Sequence, residues 1–360
     1  CVKNSEALNS IDKIDFVSYC EPLQKYTTKE ASMDEAYNYG RSDIPMQMLN
    51  LDAYHQKGFT GQNVTIAVFD GGFAQVDSME ILSSLWQRDQ IIASRDFVTN
   101  DTLTWDQSAH GMQVLSIIGI NYPDSTVGAA PDASFVLART EDVRSEKHIE
   151  EYNWLRAMEW ADSLGVDIIH SSLGYSLFDS LEGNYTYQDM DGKSTLITIA
   201  AQKAASMGIF ITNSAGNSGN DPWYYITAPC DGKDVLCVGA VDSFEIITPF
   251  SSRGPSADGR VKPDVCAMGA NITVPRENGI LRTGSGTSFS GPIIAGMVAC
   301  LMQAHPMRSN SEIFNAIIQS ADRYTRADSL YGYGIPDVLI ADSLLQKMSL
   351  GIHDSEPALD

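Results

Sequence analysis

Three side chains in this 360-residue chain have the types and settings that nucleophilic catalysis requires. Ser288 lies in a run of small residues, Ser285-Gly286-Thr287-Ser288-Phe289-Ser290-Gly291-Pro292, that leads into an apolar helical segment at 289–304. A serine hydroxyl is a weak nucleophile near neutral pH, and it needs a base that is itself oriented by a third group. His110 opens a helix-like segment, HGMQVLSIIGI, and Asp70 closes the apolar run VTIAVF at 64–69. A carboxylate at a strand end and an imidazole at a helix start can form such a relay if the fold brings both to the serine. Taken singly, each is ordinarily something plainer: an N-cap serine, a capping histidine, a turn aspartate.

The elements that must position these groups alternate in type. Apolar strand-like runs occur at 64–69, 134–139, 166–170, 209–213 and 235–241. Helical patterns lie between and after them, at 110–120, 148–164, 194–207, 289–304, 310–321 and 336–347. Continuous apolar strands alternating with helices predict an α/β fold with a mainly parallel sheet covered by helices on both faces. Ligands of such sheets bind beyond the carboxyl ends of the strands. Asp70 and the segments 171–174 and 213–217 each follow a strand, so parallel strands would bring all three to one edge.

Five motifs together resemble those of the subtilisin-like serine proteases, over roughly residues 40–345. They are Asp70 in VTIAVFDGGF, His110 in AHGMQVLSIIG, Ser171-Ser172-Leu173-Gly174, Asn213-Ser214-Ala215-Gly216-Asn217-Ser218-Gly219, and Ser288 in GTSFSGP. The resemblance implies a three-layer subtilisin-like fold and a serine endopeptidase working through an acyl-enzyme on Ser288. His110 would be the general base and then the acid, and Asp70 would orient it. Asn217 would donate its amide to the oxyanion. Ser172, Leu173 and Gly174 would bind substrate backbone, and Ala215, Gly216 and Thr227 would line the specificity pocket, Thr227 at its floor. Gly286 and Gly291 would leave room for backbone and substrate to approach. The chain departs from the common family pattern at Met112 and Gln113, and at His170, where a buried structural histidine is expected. Two other readings start from the same residues: a catalytically silent binding protein of this fold, and a peptide ligase that captures the acyl-enzyme with an amine.

Composition narrows the partners. The chain carries 46 acidic and 24 basic residues, a formal net charge of −22, which argues against a nucleic acid or an anionic membrane as partner. Segment 289–304 is interrupted by Gly291, Pro292 and Gly296 and reads as a core helix, not a membrane span. The expected partners are polypeptide substrates and the chain's own propeptide, with the protein a monomer outside the cytoplasm, secreted or periplasmic. Residues 1–33 read as an N-terminal arm that resembles the tail of a propeptide, 34–348 as the peptidase domain and 349–360 as a C-terminal tail. The chain begins with Cys1, which leaves open a lipid-anchored start, a Cys1–Cys20 disulfide or an arbitrary beginning. Cys230 and Cys237 flank a short loop and could bridge it, whereas Cys266 and Cys300 sit in apolar runs and are expected as buried thiols. No cofactor is expected to be required. The resemblance leaves structural calcium open, with Asp96, Asp101 and Asp106 as oxygen sources and no diagnostic ligand spacing.

Overall fold

Strands that are apolar without alternation belong in a sheet buried on both faces. The computed structural model, which describes residues 37–102, 104–105, 107–179 and 182–349, contains such a sheet. The strands are β1 (Thr65–Asp70), β2 (Ile91–Asp96), the short pair β3 (Asn121–Tyr122) and β4 (Thr126–Val127), β5 (Ser134–Arg139), β6 (Ile168–Ser171), β7 (Phe210–Ser214), β8 (Val235–Val241), β9 (Val265–Met268), β10 (Ile272–Pro275) and β11 (Leu281–Gly284). The helices are α1 (Asp43–Met48), α2 (Leu51–Gln56), α3 (Ser83–Gln87), α4 (His110–Gly119), α5 (Ile149–Ser163), α6 (Leu196–Ser206), α7 (Thr287–Ala304), α8 (Asn310–Ser320) and α9 (Val338–Ser349). The expected arm at 1–33, both of its cysteines, Asp106, and the expected tail beyond residue 349 lie outside the described residues.

Seven strands form one sheet in the order β2-β5-β1-β6-β7-β8-β9, and each neighbouring pair is parallel. From β1 the chain goes to the edge strand β2, places β5 between the two, then crosses to the other side of β1 and adds β6 through β9 in turn. The reversal at β1 opens a crevice at the carboxyl ends of β1 and β6, where ligands bind in sheets of this kind. Asp70, the last residue of β1, stands at that point.

Alternate side chains of β1 enter two different cores. Ile66 and Val68 pack with α4 and α7 on one face, while Ala67 and Phe69 pack with α5 and α6 on the other. This is the period-two geometry of a strand, and it accounts for the unbroken apolar runs. Helix α7 is long and apolar enough to cross a membrane by composition, yet Thr287 through Leu301 are all buried inside the protein.

The expected elements are present with ends shifted by a residue or two, and α7 starts earlier than expected, at Thr287, which puts Ser288 inside its first turn. Strands β2 and β9, the hairpin β10–β11 and the helices before β1 carry weaker sequence signals. β2 is an edge strand ending in Ser94-Arg95-Asp96, and β9 has only four residues.

Cys230 and Cys237 form a disulfide that ties β8 to the loop after Thr227, and Cys266 and Cys300 are buried free thiols. Ala215, Ile226 and the two bridged cysteines make a small buried cluster at the end of the sheet. Removing the bridge frees a short loop of the unfolded chain. The double variant Cys230→Ala/Cys237→Ala should lose roughly 2–3 kcal/mol. A urea titration should show this as a lower midpoint.

Candidate active site

Asp70 is 1% exposed, and one of its oxygens, Oδ1, accepts the N–H of Gly71 at 2.7 Å. Both carboxylate oxygens lie 2.9 Å from His110 Nδ1. An ionised carboxylate only accepts, so Nδ1 carries the proton and Nε2 keeps its lone pair. The Asp70 charge raises the His110 pKa above the usual imidazole value, working against partial burial that would lower it. The approach depends on Gly111: a Cβ there would fall 2.5 Å from Gly72 O and 2.8 Å from Asp70 Cβ. The start of α4 can thus lie directly on the end of β1. Ser108 Oγ accepts the His110 N–H at 3.1 Å and helps hold this helix start.

Ser288 occupies the first turn of α7 and is 8% exposed. Its Oγ makes no hydrogen bond among the described residues; such contacts are often long before substrate binds. The turn around it is tightly tied. Pro292 has no N–H to give to the carbonyl four residues back, which is that of Ser288. Ser172 Oγ donates to that oxygen instead, at 3.1 Å, and Ser214 Oγ donates to Thr287 O at 2.8 Å. The Ser172 hydroxyl, having given its proton, accepts from His170 Nε2 at 3.0 Å, and His170 Nδ1 accepts from Thr212 Oγ1 at 2.9 Å. His170 is fully buried, and burial pushes its pKa down to about 3, so it is neutral. The expectation of a structural histidine fits this burial.

Gly291 meets the backbone half of its expectation and not the substrate half. It lies inside the protein, and a Cβ there would meet Ser214 Oγ at 2.6 Å and His170 Cε1 at 2.8 Å. It makes room for α7 against β6 and β7, not for a ligand.

Asn217 sits beside the same turn. Its Oδ1 accepts from Thr287 N at 2.8 Å and Thr287 Oγ1 at 3.1 Å. Two donors on one atom fix the amide orientation, so Nδ2 is the end left for another group. Thr287 Oγ1 also accepts the Gly216 N–H at 3.2 Å, joining the segment 215–217 to α7.

Beyond β6, Ser172 and Leu173 are half-buried and Gly174 is exposed. Asn213 Nδ2 donates to Leu173 O at 2.9 Å, and Asn213 Oδ1 accepts from Ser171 Oγ. Thr227 is 5% exposed, and its Oγ1 has no hydrogen-bond partner among the described residues. A Cβ built on Gly174 would fall 2.1 Å from that oxygen, and one on Gly216 would fall 3.1 Å from it. The threonine hydroxyl therefore stands between the two backbone segments.

The structure thus brings Asp70 to His110, Asn217 and Ser172 to the Ser288 turn, and Thr227 to Gly174 and Gly216. Thr212 was not singled out in the sequence, and Asn213 stood there only as the start of a motif, since their partners lie 42 and 40 positions away. Asp96 is committed within the protein. Its Oδ2 binds Arg139 at 2.6 Å, and its Oδ1 accepts Val98 N and Thr99 N. Asp101 Oδ2 accepts from Thr99 Oγ1 at 3.0 Å. Among the described residues no group of three or more His, Cys, Asp or Glu side chains is placed to hold a metal ion.

The profile of the subtilase family matches residues 61–334. The chain is 27% identical to subtilisin E of Bacillus subtilis (strain 168) over 342 residues, which covers 94% of this chain and 78% of that protein. It is 28% identical to a subtilisin of Bacillus pumilus over 307 residues, 84% of this chain and 98% of the relative. Among solved structures, MycP1 without its N-terminal propeptide is similar with a TM-score of 0.64 and 23% identity, over 83% of this chain and 96% of that one. The prenylagaramide maturation protease PagA is similar with a TM-score of 0.62 and 25% identity, over 82% and 98%. Both share the α/β architecture described above.

Buried histidines make stability depend on acid. His55, bonded to Tyr39 OH at 2.7 Å and Ala129 O at 3.0 Å, is lowered to about 4 by burial, as His170 is to about 3. Between pH of about 6.5 and 4 the unfolded chain binds protons at both sites and the folded chain does not. Stability should therefore fall as pH falls through that window, by up to about 1.4 kcal/mol per pH unit for each histidine. Urea unfolding measured across the window should show a shallower slope for His170→Asn.

Proposed function

The chain belongs to the subtilase family, and from that premise we propose that it is a serine endopeptidase acting through an acyl-enzyme on Ser288. The observation that carries the reading is the pairing of buried Asp70 with His110 at the point where the strand order reverses. That pairing leaves His110 Nε2 free to take a proton.

In the proposed reaction Ser288 Oγ attacks the peptide carbonyl while His110 Nε2 removes its proton. The same proton then goes to the leaving amine, and water repeats the cycle on the acyl-enzyme. Asp70 stays ionised, holds the ring and stabilises the imidazolium. The oxyanion is met by Asn217 Nδ2 and by the Ser288 N–H, one of the donors that the first turn of a helix leaves free. The positive end of the α7 dipole acts in the same direction. The substrate extends along Ser172, Leu173 and Gly174 as an added strand. Its side chain next to the cleaved bond enters between Gly174, Ala215 and Gly216, over Thr227. The threonine closes the pocket early and offers an unpaired hydroxyl, which favours a small, uncharged side chain.

The Cys230–Cys237 bridge supports an extracytoplasmic location, because such bonds persist in oxidising compartments.

A fluorophosphonate probe should label the wild-type protein and leave Ser288→Ala unlabelled; a folded, unlabelled wild type would sink the reading. Asn217→Ala should lower kcat by about 100- to 1,000-fold. The neutral imidazole is the active form, so kcat/KM should rise with pH, with its midpoint above the ordinary histidine value of about 6.5. The stabilising effect of the Asp70–His110 pair runs the other way. It is complete below about 6.5 and lost as pH rises through the raised value.

A further inference from the structure

A cavity of about 450 Å³ opens beside the catalytic pair, with Asp70 and His110 on one wall, Leu173 on another and the segment after β5 on the third. That third wall is acidic: Glu141, Asp142, Glu146 and Glu150 all line it. Two of the four carboxylates are committed. Asp142 binds Arg144 through both oxygens at 2.7 Å, and Glu150 accepts the N–H groups of Asp142 and Lys147, each at 2.9 Å. The other two are not. Glu141 is nine-tenths buried; its Oε1 accepts from Tyr175 OH at 2.6 Å and Thr140 Oγ1 at 2.8 Å, and its Oε2 has no partner among the described residues. The Glu146 carboxylate has neither a hydrogen bond nor an ion pair among them, and Arg144, already held by Asp142, does not neutralise it. Burial and mutual repulsion raise both groups: Glu141 to about 8, with Glu150 and Glu146 adding to desolvation, and Glu146 to about 7, with Glu150, Asp179 and Glu151 adding. Both carboxyl groups are thus costly to ionise until a cation stands beside them, and no side chain among the described residues supplies one.

The substrate strand fixes what reaches this wall. Side chains alternate along a strand. If one residue points to Thr227, the preceding residue points to the opposite side, toward His110 and the cavity. A charge-assisted bond to a partly desolvated carboxylate is strong. Two uncommitted carboxylates suit one ammonium or guanidinium group, and they fall short of the six to eight oxygens that calcium takes. We propose that Glu141 and Glu146 select a lysine or arginine at the substrate position immediately before the residue seated over Thr227. The net charge of −22 would attract the same basic peptides from a distance.

This inference rests on the peptidase reading, and one experiment separates the two. Peptides identical except for Arg, Lys, Gln or Glu at that position are compared by kcat/KM. Arg or Lys should exceed Gln by roughly 10-fold or more, and Glu should be the poorest. Glu146→Gln should shrink the Arg-to-Gln ratio severalfold, and Glu146→Lys should shift the preference toward Glu. Glu146 is less buried than Glu141, so its variants test the idea even if Glu141→Gln fails to fold. Equal rates for Arg and Gln, or a preference that survives Glu146→Gln unchanged, would overturn the inference and leave the peptidase reading standing. No cleavage of any peptide, with no fluorophosphonate labelling, would overturn both.

Discussion

The first turn of α7 is held on the carboxyl ends of β6 and β7, and the placement of Ser288 and Asn217 depends on that attachment. Pro292 removes the N–H that would have closed the turn onto Ser288 O, and Ser172 from the end of β6 supplies the replacement. Ser214 from β7 donates to Thr287 O, and Asn217 captures Thr287 N. A helix start cross-tied to two parallel strands has little freedom to rotate. The relay from Thr212 through His170 to Ser172 extends the attachment into the dry interior, where an unmade hydrogen bond would be expensive. The long apolar body of α7, buried from Thr287 to Leu301, presses that start against the sheet.

The same region carries several local misfits. Thr227 Oγ1 is buried without a partner, Glu141 has an uncommitted oxygen beside other carboxylates, and Ser288 Oγ is unbonded. Proteins depart from the rules of polar satisfaction mainly where a ligand will complete them. Elsewhere buried charges are matched, as Arg139 is with Asp96 and Lys262 with Asp264.

Much of this was legible in the chain. The apolar runs revealed five of the seven sheet strands, and the small-residue motifs marked Asp70, His110, Asn217 and Ser288. The misses share a cause. The roles of Thr212, Asn213 and Ser172 lie in bonds to residues 40 to 116 positions away, which no local pattern announces. Gly291 read as space for substrate because only the packing shows that His170 and Ser214 fill that side. Asp96 read as a possible oxygen source for calcium because Arg139, its partner, is 43 residues distant.

By itself, the sequence determined which segments must be strands and helices, and that reactive side chains cap them. Hydrophobic period and turn chemistry are short-range properties, written within a few residues. Tertiary structure alone decided the register that sets Phe69 beside Ser171 and Ser171 beside Asn213, and so which strand ends share a crevice. It also decided which carboxylates find a cation and which face the cavity unpaired. Those outcomes depend on distances between chain-remote atoms, and electrostatic and hydrogen-bond energies respond to such distances, not to separation along the chain.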